Sequence, residues 1–187
     1  MFRRLAFSWP KAIRRFLSDT RAVAAVEFAL VAPVLIFAYM GMADLTMRTM
    51  AARKTEHAAA TIGDLAAQSD NLTAANITDL WTIGGSMLQP FDTTVGLKMR
   101  ISEVTMQSNG SATVTWSNPT SNWTGYAKNQ AMPQITTTQL PINQSLIMTD
   151  IEYDYASPFG NFLPGSTVFT YTFYHHPRNG AQVTNVG

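Results

Sequence analysis

The sequence predicts an α+β protein: a long N-terminal transmembrane helix that continues into an exported domain with a small antiparallel sheet. Three observations predict it. Residues 22–43 are 22 consecutive positions with a single charge, Glu27. Apolar residues then keep helical spacing as far as about Gln68. From Val95 onward they fall at every second position, the period of a strand.

The chain of 187 residues is long enough for one domain plus an appended segment. Charged residues make up 13% of it, about half the ~25% usual for soluble proteins. Their placement is uneven. Residues 1–21 hold six bases and one acid, a net +5, whereas residues 22–187 hold seven bases and eleven acids, a net −4. The positive charge therefore lies outside the folded part, which excludes a nucleic-acid-binding domain and nucleic acid as a partner. The absence of cysteine excludes a disulfide scaffold, a cysteine nucleophile and a thiolate metal site.

The apolar segment comes first. A bilayer core takes about 20 apolar residues of helix, and residues 23–43 supply them. The basic block just before it keeps residues 1–22 on the cytoplasmic side by the positive-inside rule. The rest of the chain then lies across the inner membrane. Ordinary signal-peptidase cleavage is disfavoured, because a secretory signal has an apolar region of about 7–15 residues and this one is longer and runs on into helical sequence. Residues 44–68 continue the helix in amphipathic form. Ala51, Thr55, Ala58, Ile62 and Leu65 recur at spacings of four, three, four and three, one face of a helix. A single helix from about Val23 to Gln68 would be roughly 70 Å long, with Pro33 and Gly41 as points of bending.

Glu27 needs a reason. An acid in the middle of an apolar helix costs about 2.5–3.5 kcal/mol on insertion scales. It either reaches water at the cytoplasmic interface, close to Arg21, or has a partner inside the membrane. The residues around it favour the partner. A basic leader ends at the small residue Ala22, and Glu27 is the fifth residue after it. This arrangement resembles the cleavage region of type IV prepilins. More narrowly, RAVAAVEFALVAPVL (Arg21–Leu35) resembles the start of the TadE/TadG-like family of the tight-adherence (Flp) pilus system. RKTEHAAATIGDLAAQ (Arg53–Gln68) is similar to that family's segment after the membrane helix, and EYDYASPF (Glu152–Phe159) and FYHHPR (Phe173–Arg178) resemble its closing strands.

The resemblance implies a pseudopilin or minor pilin-like subunit with a pilin-like domain. It implies a prepilin peptidase that cuts between Ala22 and Val23 and makes Glu27 the +5 acid. The family pattern has glycine before the cut, where this chain has Ala22. The implied partners are the inner membrane, the peptidase, other pilin-like subunits and the pilus assembly machinery. Charge pairing between Glu27 and the new amine at Val23 would drive assembly. No cofactor, metal or catalytic residue is implied. The alternative is an uncleaved, signal-anchored exported adaptor or adhesin.

The exported domain, residues 69–187, opens with a cap-like Thr73 and a helix at about 74–88, where Gly84-Gly85 weakens the pattern and Pro90 ends it. Val95–Met106 alternates Leu97, Met99 and Ile101 against Lys98, Arg100 and Ser102. Ser108-Asn109-Gly110 is a turn of the Asn-Gly type, and Ser111–Trp116 returns with Ala112, Val114 and Trp116 expected on one face. Leu146–Tyr155 and Ser166–His175, rich in branched and aromatic residues, read as two more strands. Pro158, Gly160, Pro164 and Gly165 lie between them. These strands predict a four-stranded antiparallel sheet packed on the long helix. Residues 117–143, rich in Ser, Thr, Asn, Gln and Pro, read as a solvated insertion, or as a display loop with exposed Trp123 and Tyr126.

Catalytic patterns are missing: there is no G-x-S-x-G, H-E-x-x-H or P-loop. His175 and His176 are adjacent on a strand and point to opposite faces, which disfavours a shared metal. Asp150, Glu152 and Asp154 alternate and share one face, expected to be solvated. Met40, Met42, Met47 and Met50 suit adaptable helix packing better than copper binding.

Overall fold

The computed structural model of the chain describes residues 20–160, 166–178 and 182–186. The basic leader, apart from the backbone of its last three residues, lies outside these, as do Pro164 and Gly165. The chain forms two compact units, Met1–Leu45 and Thr46–Gly187.

The described part of the first unit is helical. Helix α1 spans Thr20–Ala67 and is unbroken through Pro33 and Gly41. As far as Leu45 its large apolar side chains, among them Phe28, Leu30, Leu35 and Tyr39, are uncovered. From Val23 the helix is long and apolar enough to cross a membrane.

In the second unit the remainder of α1 turns a stripe of small residues inward. Ala51, Thr55, Ala58, Ala59, Ile62 and Ala66 are fully buried. Small side chains let the helix approach the sheet closely, and the Thr55 hydroxyl is satisfied by donating to the Ala51 carbonyl one turn back, 2.9 Å away. After a two-residue strand β1 (Asn71–Leu72), helix α2 covers Ala74–Met87. Thr73 caps it reciprocally: its Oγ1 accepts from the Asn76 amide at 3.2 Å, and Asn76 Oδ1 accepts from the Thr73 amide at 3.0 Å. Ile77, Leu80 and Gly84 face the core. Gly84, which weakens the helix signal in the sequence, sits where α2 meets Ile62 and Met99, whose side-chain ends leave no room for a Cβ.

Four strands form the sheet: β2 (Leu97–Met106), β3 (Ala112–Pro119), β4 (Ser145–Ala156) and β5 (Ser166–His175). Their order is β3-β2-β4-β5, antiparallel throughout. A sixth strand, β6 (Thr184–Asn185), pairs in parallel with β1. The sequence pattern gives no sign of this two-residue pair. The predicted α+β class, with its long apolar helix and small antiparallel sheet, is the observed one.

Both sheet faces are covered, which accounts for the dense burial of β2 and β4. On one face Leu97, Met99, Ile101, Ile147, Ile151, Tyr153 and Tyr155 pack with the small stripe of α1 and with Leu80 and Leu88. On the other, Val104, Met106, Ala112, Val114, Leu146 and Met148 pack with Met132, Ile135 and Leu140. The last three correct the reading of residues 117–143 as a solvated insertion or display loop. That segment folds back over the sheet and supplies half of a second apolar cluster. It also covers the outer edge of β3, with backbone bonds from Val114 N to Gln130 O, Asn129 N to Val114 O and Met132 N to Ala112 O at 2.8–3.0 Å.

Two local readings differ. A bulge opposite Glu103 and Val104 adds one residue to β3. It turns Trp116 to the helix side while Ala112 and Val114 face the other way, so the three do not share a face. In the β2–β3 turn only Gly110 has a positive φ, 79°. The Gly110 amide bonds the Gln107 carbonyl at 2.9 Å and the Gln107 amide bonds Ser111 O at 2.9 Å. This is a three-residue loop ending in a left-handed glycine, favoured because Asn109 Oδ1 accepts from the Ser111 amide at 3.0 Å.

Candidate functional site

The residues singled out by the sequence lie at the start of α1. Thr20, Arg21, Ala22 and Val23 are its first described residues, and Glu27 stands one turn beyond Val23 on the same helical side. Glu27 is exposed and has no hydrogen-bond or ion-pair partner among the described residues.

The exported domain contains polar groups in unusual settings that the sequence reading missed. Arg100 of β2 is nearly buried and grips Asp150 of β4 through Nε at 3.0 Å and Nη2 at 2.8 Å. Its Nη1 donates to the Thr124 carbonyl at 2.9 Å. The guanidinium lies 4.3 Å from the ring centre of Trp123 and 3.6 Å from that of Tyr126. Thr172 Oγ1 donates to the remaining oxygen of Asp150 at 2.6 Å. Lys98 pairs with Glu152 in the neighbouring register position at 2.6 Å. The expectation of a solvated acidic face at Asp150, Glu152 and Asp154 is therefore corrected for the first two. Their basic partners stand on β2, and only the strand register brings them together. The expectation of exposed Trp123 and Tyr126 is corrected as well, since both are half-buried on Arg100.

A second buried acid, Glu103, accepts from the Val183 amide at 2.9 Å, and the Trp116 indole donates to the Val183 carbonyl at 2.9 Å. Burial pushes the Glu103 carboxyl above its usual range, against these hydrogen bonds. His175 packs near Gly63 of α1, with Nδ1 buried and unpaired beside Thr149 Oγ1. Burial holds its pKa below the ordinary value. The neighbouring Arg178 lowers it further and Asp64 opposes this. His176 lies elsewhere, beside Ile135, Gln139, Leu146 and Tyr174. Among the described residues no three His, Asp or Glu side chains stand together as metal ligands. These clusters tie strands, loop and C-terminal segment together, and nothing in their geometry pairs a nucleophile with a base.

A comparison with family models matches residues 22–63 to the family described as TadE-like protein. No curated protein matches the chain, and no solved structure does. The matched stretch holds Ala22, Val23, Glu27, the apolar helix and the first part of its amphipathic continuation. Over residues 22–63, the segment that carries the candidate site, the chain is therefore similar to TadE-like proteins.

Proposed function

We propose that the chain is a pseudopilin or minor pilin-like subunit of a tight-adherence (Flp) type IV pilus assembly system, matured by a prepilin peptidase and assembled through its N-terminal helix. The TadE-like segment supports a pilus-associated, pilin-like component, a structural part rather than an enzyme. One observation carries the finer reading. The family match begins at residue 22, where the basic leader gives way to the apolar helix, and Glu27 stands at the fifth position after it.

The chemistry of the residues fits. Cutting between Ala22 and Val23 removes the basic leader and creates an α-amine, which is positive near neutral pH, its ordinary pKa being about 7.7–8.0. Glu27 is negative and lies one helical turn away. In or near hydrocarbon a charge is tolerable when paired and costly when alone. In an assembly, Glu27 of one subunit neutralises the amine of its neighbour and so fixes the axial stagger between helices. The uncovered apolar side chains from Val23 to Leu45 give neighbouring helices and lipid a surface to pack on. The helix spans the inner membrane once, with its N-terminus cytoplasmic and the domain outside the cytoplasm.

Intact-mass measurement and N-terminal sequencing of protein taken from membranes test maturation, with a start at Val23 expected. A start at Met1 in cells with active prepilin peptidase would favour the second reading, an uncleaved signal-anchored adaptor or adhesin, to which Ala22 in the glycine position lends weight. The pairing has its own test. Glu27→Gln should lower incorporation into pilus complexes at least about tenfold, equivalent to about 1.4 kcal/mol. Normal incorporation would defeat it.

A further inference from the structure

Contacts of α1 fix which end of the second unit the chain enters. Arg48 Nη1 donates to Thr167 Oγ1 at 3.0 Å, at the start of β5, and its guanidinium lies 5.9 Å from the ring centre of Tyr155, the register partner of Thr167. Further along α1, Gly63 lies against His175 at the other end of β5. The helix therefore runs along β5. The loop between α2 and β2, residues 89–96, and the described part of the β4–β5 connection, residues 157–160, lie at the end where Thr46 enters. Between them is a cavity of about 500 Å³, lined largely by apolar side chains, among them Met47, Phe91, Val95, Tyr155 and Pro158. Among the described residues Val95 has the most exposed large apolar side chain, at 82%. Its loop is held in place. The Phe91 ring meets that of Tyr155 edge-on at 5.9 Å. The Tyr153 hydroxyl donates to the Asp92 carbonyl at 3.0 Å, and Asp92 Oδ1 accepts from the Thr94 amide at 2.9 Å.

We propose that this end of the domain rests in the headgroup layer of the bilayer that α1 spans, with Val95 and Pro158 touching lipid. The inference rests on reading α1 as a membrane span. Distance along the helix sets the occupant. The apolar stretch ends at residue 43, and Met47 stands four residues on, about 6 Å of helix. The headgroup layer extends about 5–7 Å beyond the hydrocarbon on each side. A side chain that lines the cavity is thus within reach of that layer, and α1 is unbroken up to it. An apolar patch on a held loop is costly in water and suits this layer, where amphipathic surfaces lie with their apolar side against the acyl chains. The charge pattern sets the kind of contact. Residues 89–96 and 157–160 hold no Lys or Arg and one acid, Asp92. The contact is therefore apolar insertion, indifferent to headgroup charge, and not attraction to anionic lipid. Together with the span it attaches the domain at two points, which holds its orientation on the membrane and presents its far end in one direction.

The full-length chain has no cysteine, so introduced thiols report cleanly. Full-length versions carrying Val95→Cys, Pro158→Cys, Leu35→Cys or Ser108→Cys are spin-labelled in phosphatidylcholine vesicles. Collisions with oxygen, which concentrates in lipid, are compared with collisions with a water-soluble nickel chelate. Leu35 reports the span and Ser108, in the β2–β3 turn at the far end of the strands, reports water. The labels at residues 95 and 158 should meet the nickel chelate at least about threefold less often than the label at 108, and oxygen more often, because the headgroup layer holds less water than bulk. A label at either site that matches residue 108, with residue 35 in lipid, overturns the proposal and leaves the span reading standing. A label at residue 35 that meets nickel as freely as residue 108 overturns both. Shielding of residues 95 and 158 from oxygen as well as nickel means a protein cover, such as a second copy, and also overturns the proposal. Replacing part of the phosphatidylcholine with phosphatidylglycerol should leave the values unchanged. Lipid contact seen only with the anionic lipid would be electrostatic and overturns the proposal too.

Discussion

Arg100 shows how much one side chain holds in this domain. Its guanidinium ties β2 to β4 through Asp150, holds the Thr124 carbonyl and lies against two rings of residues 117–143. Arg100→Met would leave Asp150, itself only 4% exposed, without its cation. Breaking a buried pair from one side costs about 3–5 kcal/mol, a loss expected in denaturant unfolding. Arg100→Lys should recover only part of it, since an ammonium cannot bond in two directions and stack at once. Limited proteolysis near Lys128 should accelerate in both variants. His175 makes a prediction in pH. Its folded pKa is depressed, so the unfolded chain takes up the proton first. The stability it confers is present above about pH 6.5 and is lost as pH falls below that. Thermal unfolding between pH 7.5 and 5 should show the loss, and His175→Gln should flatten it. Glu103 acts in the opposite sense. Its raised pKa means that its contribution is greatest below about pH 4.5 and fades as pH rises through the folded value.

Among the elements, the segment after β3 differs most from its composition. Its polar residues face solvent, but Met132, Ile135 and Leu140, spaced along it, fill the open face of β2 and β4. Leu140 is fully buried, so Leu140→Ala should cost about 2–5 kcal/mol, as for a core leucine. A value within about 0.5 kcal/mol of zero would return the segment to the status of a surface loop. The same segment closes the β3 edge, whereas β5 has no second backbone partner among the described residues. Helix α2 shows a related effect. Gly84 lowers helix propensity by about 1 kcal/mol relative to alanine, yet tight packing against Ile62 and Met99 favours it there.

The molecule as a whole divides by solvent. Both buried apolar clusters are built from residues beyond Thr46, beginning at Ala51. The uncovered apolar side chains of α1 are concentrated before that point. A chain beginning at Thr46 should therefore fold and dissolve without detergent, with near-ultraviolet circular dichroism matching that of the full-length protein. The charge balance agrees. The leader is basic, and the remainder carries a net −4.

The sequence by itself determined the apolar helix and its amphipathic continuation, α2 with its Thr73 cap, and the four strands, β5 at both ends. These depend on local periodicity and capping, which a linear reading contains. It also marked Glu27 as the one charge of an apolar stretch, while Ala22 and Val23 are marked by the likeness to prepilin cleavage regions. The tertiary structure alone decided the partners of Asp150 and Glu152, the burial of Met132, Ile135 and Leu140, the face of Trp116, the β1–β6 pair and the covering of the β3 edge. Each of these depends on the register between strands distant in the chain. A single added residue, such as the bulge in β3, turns every later side chain to the other face, and no local pattern records that.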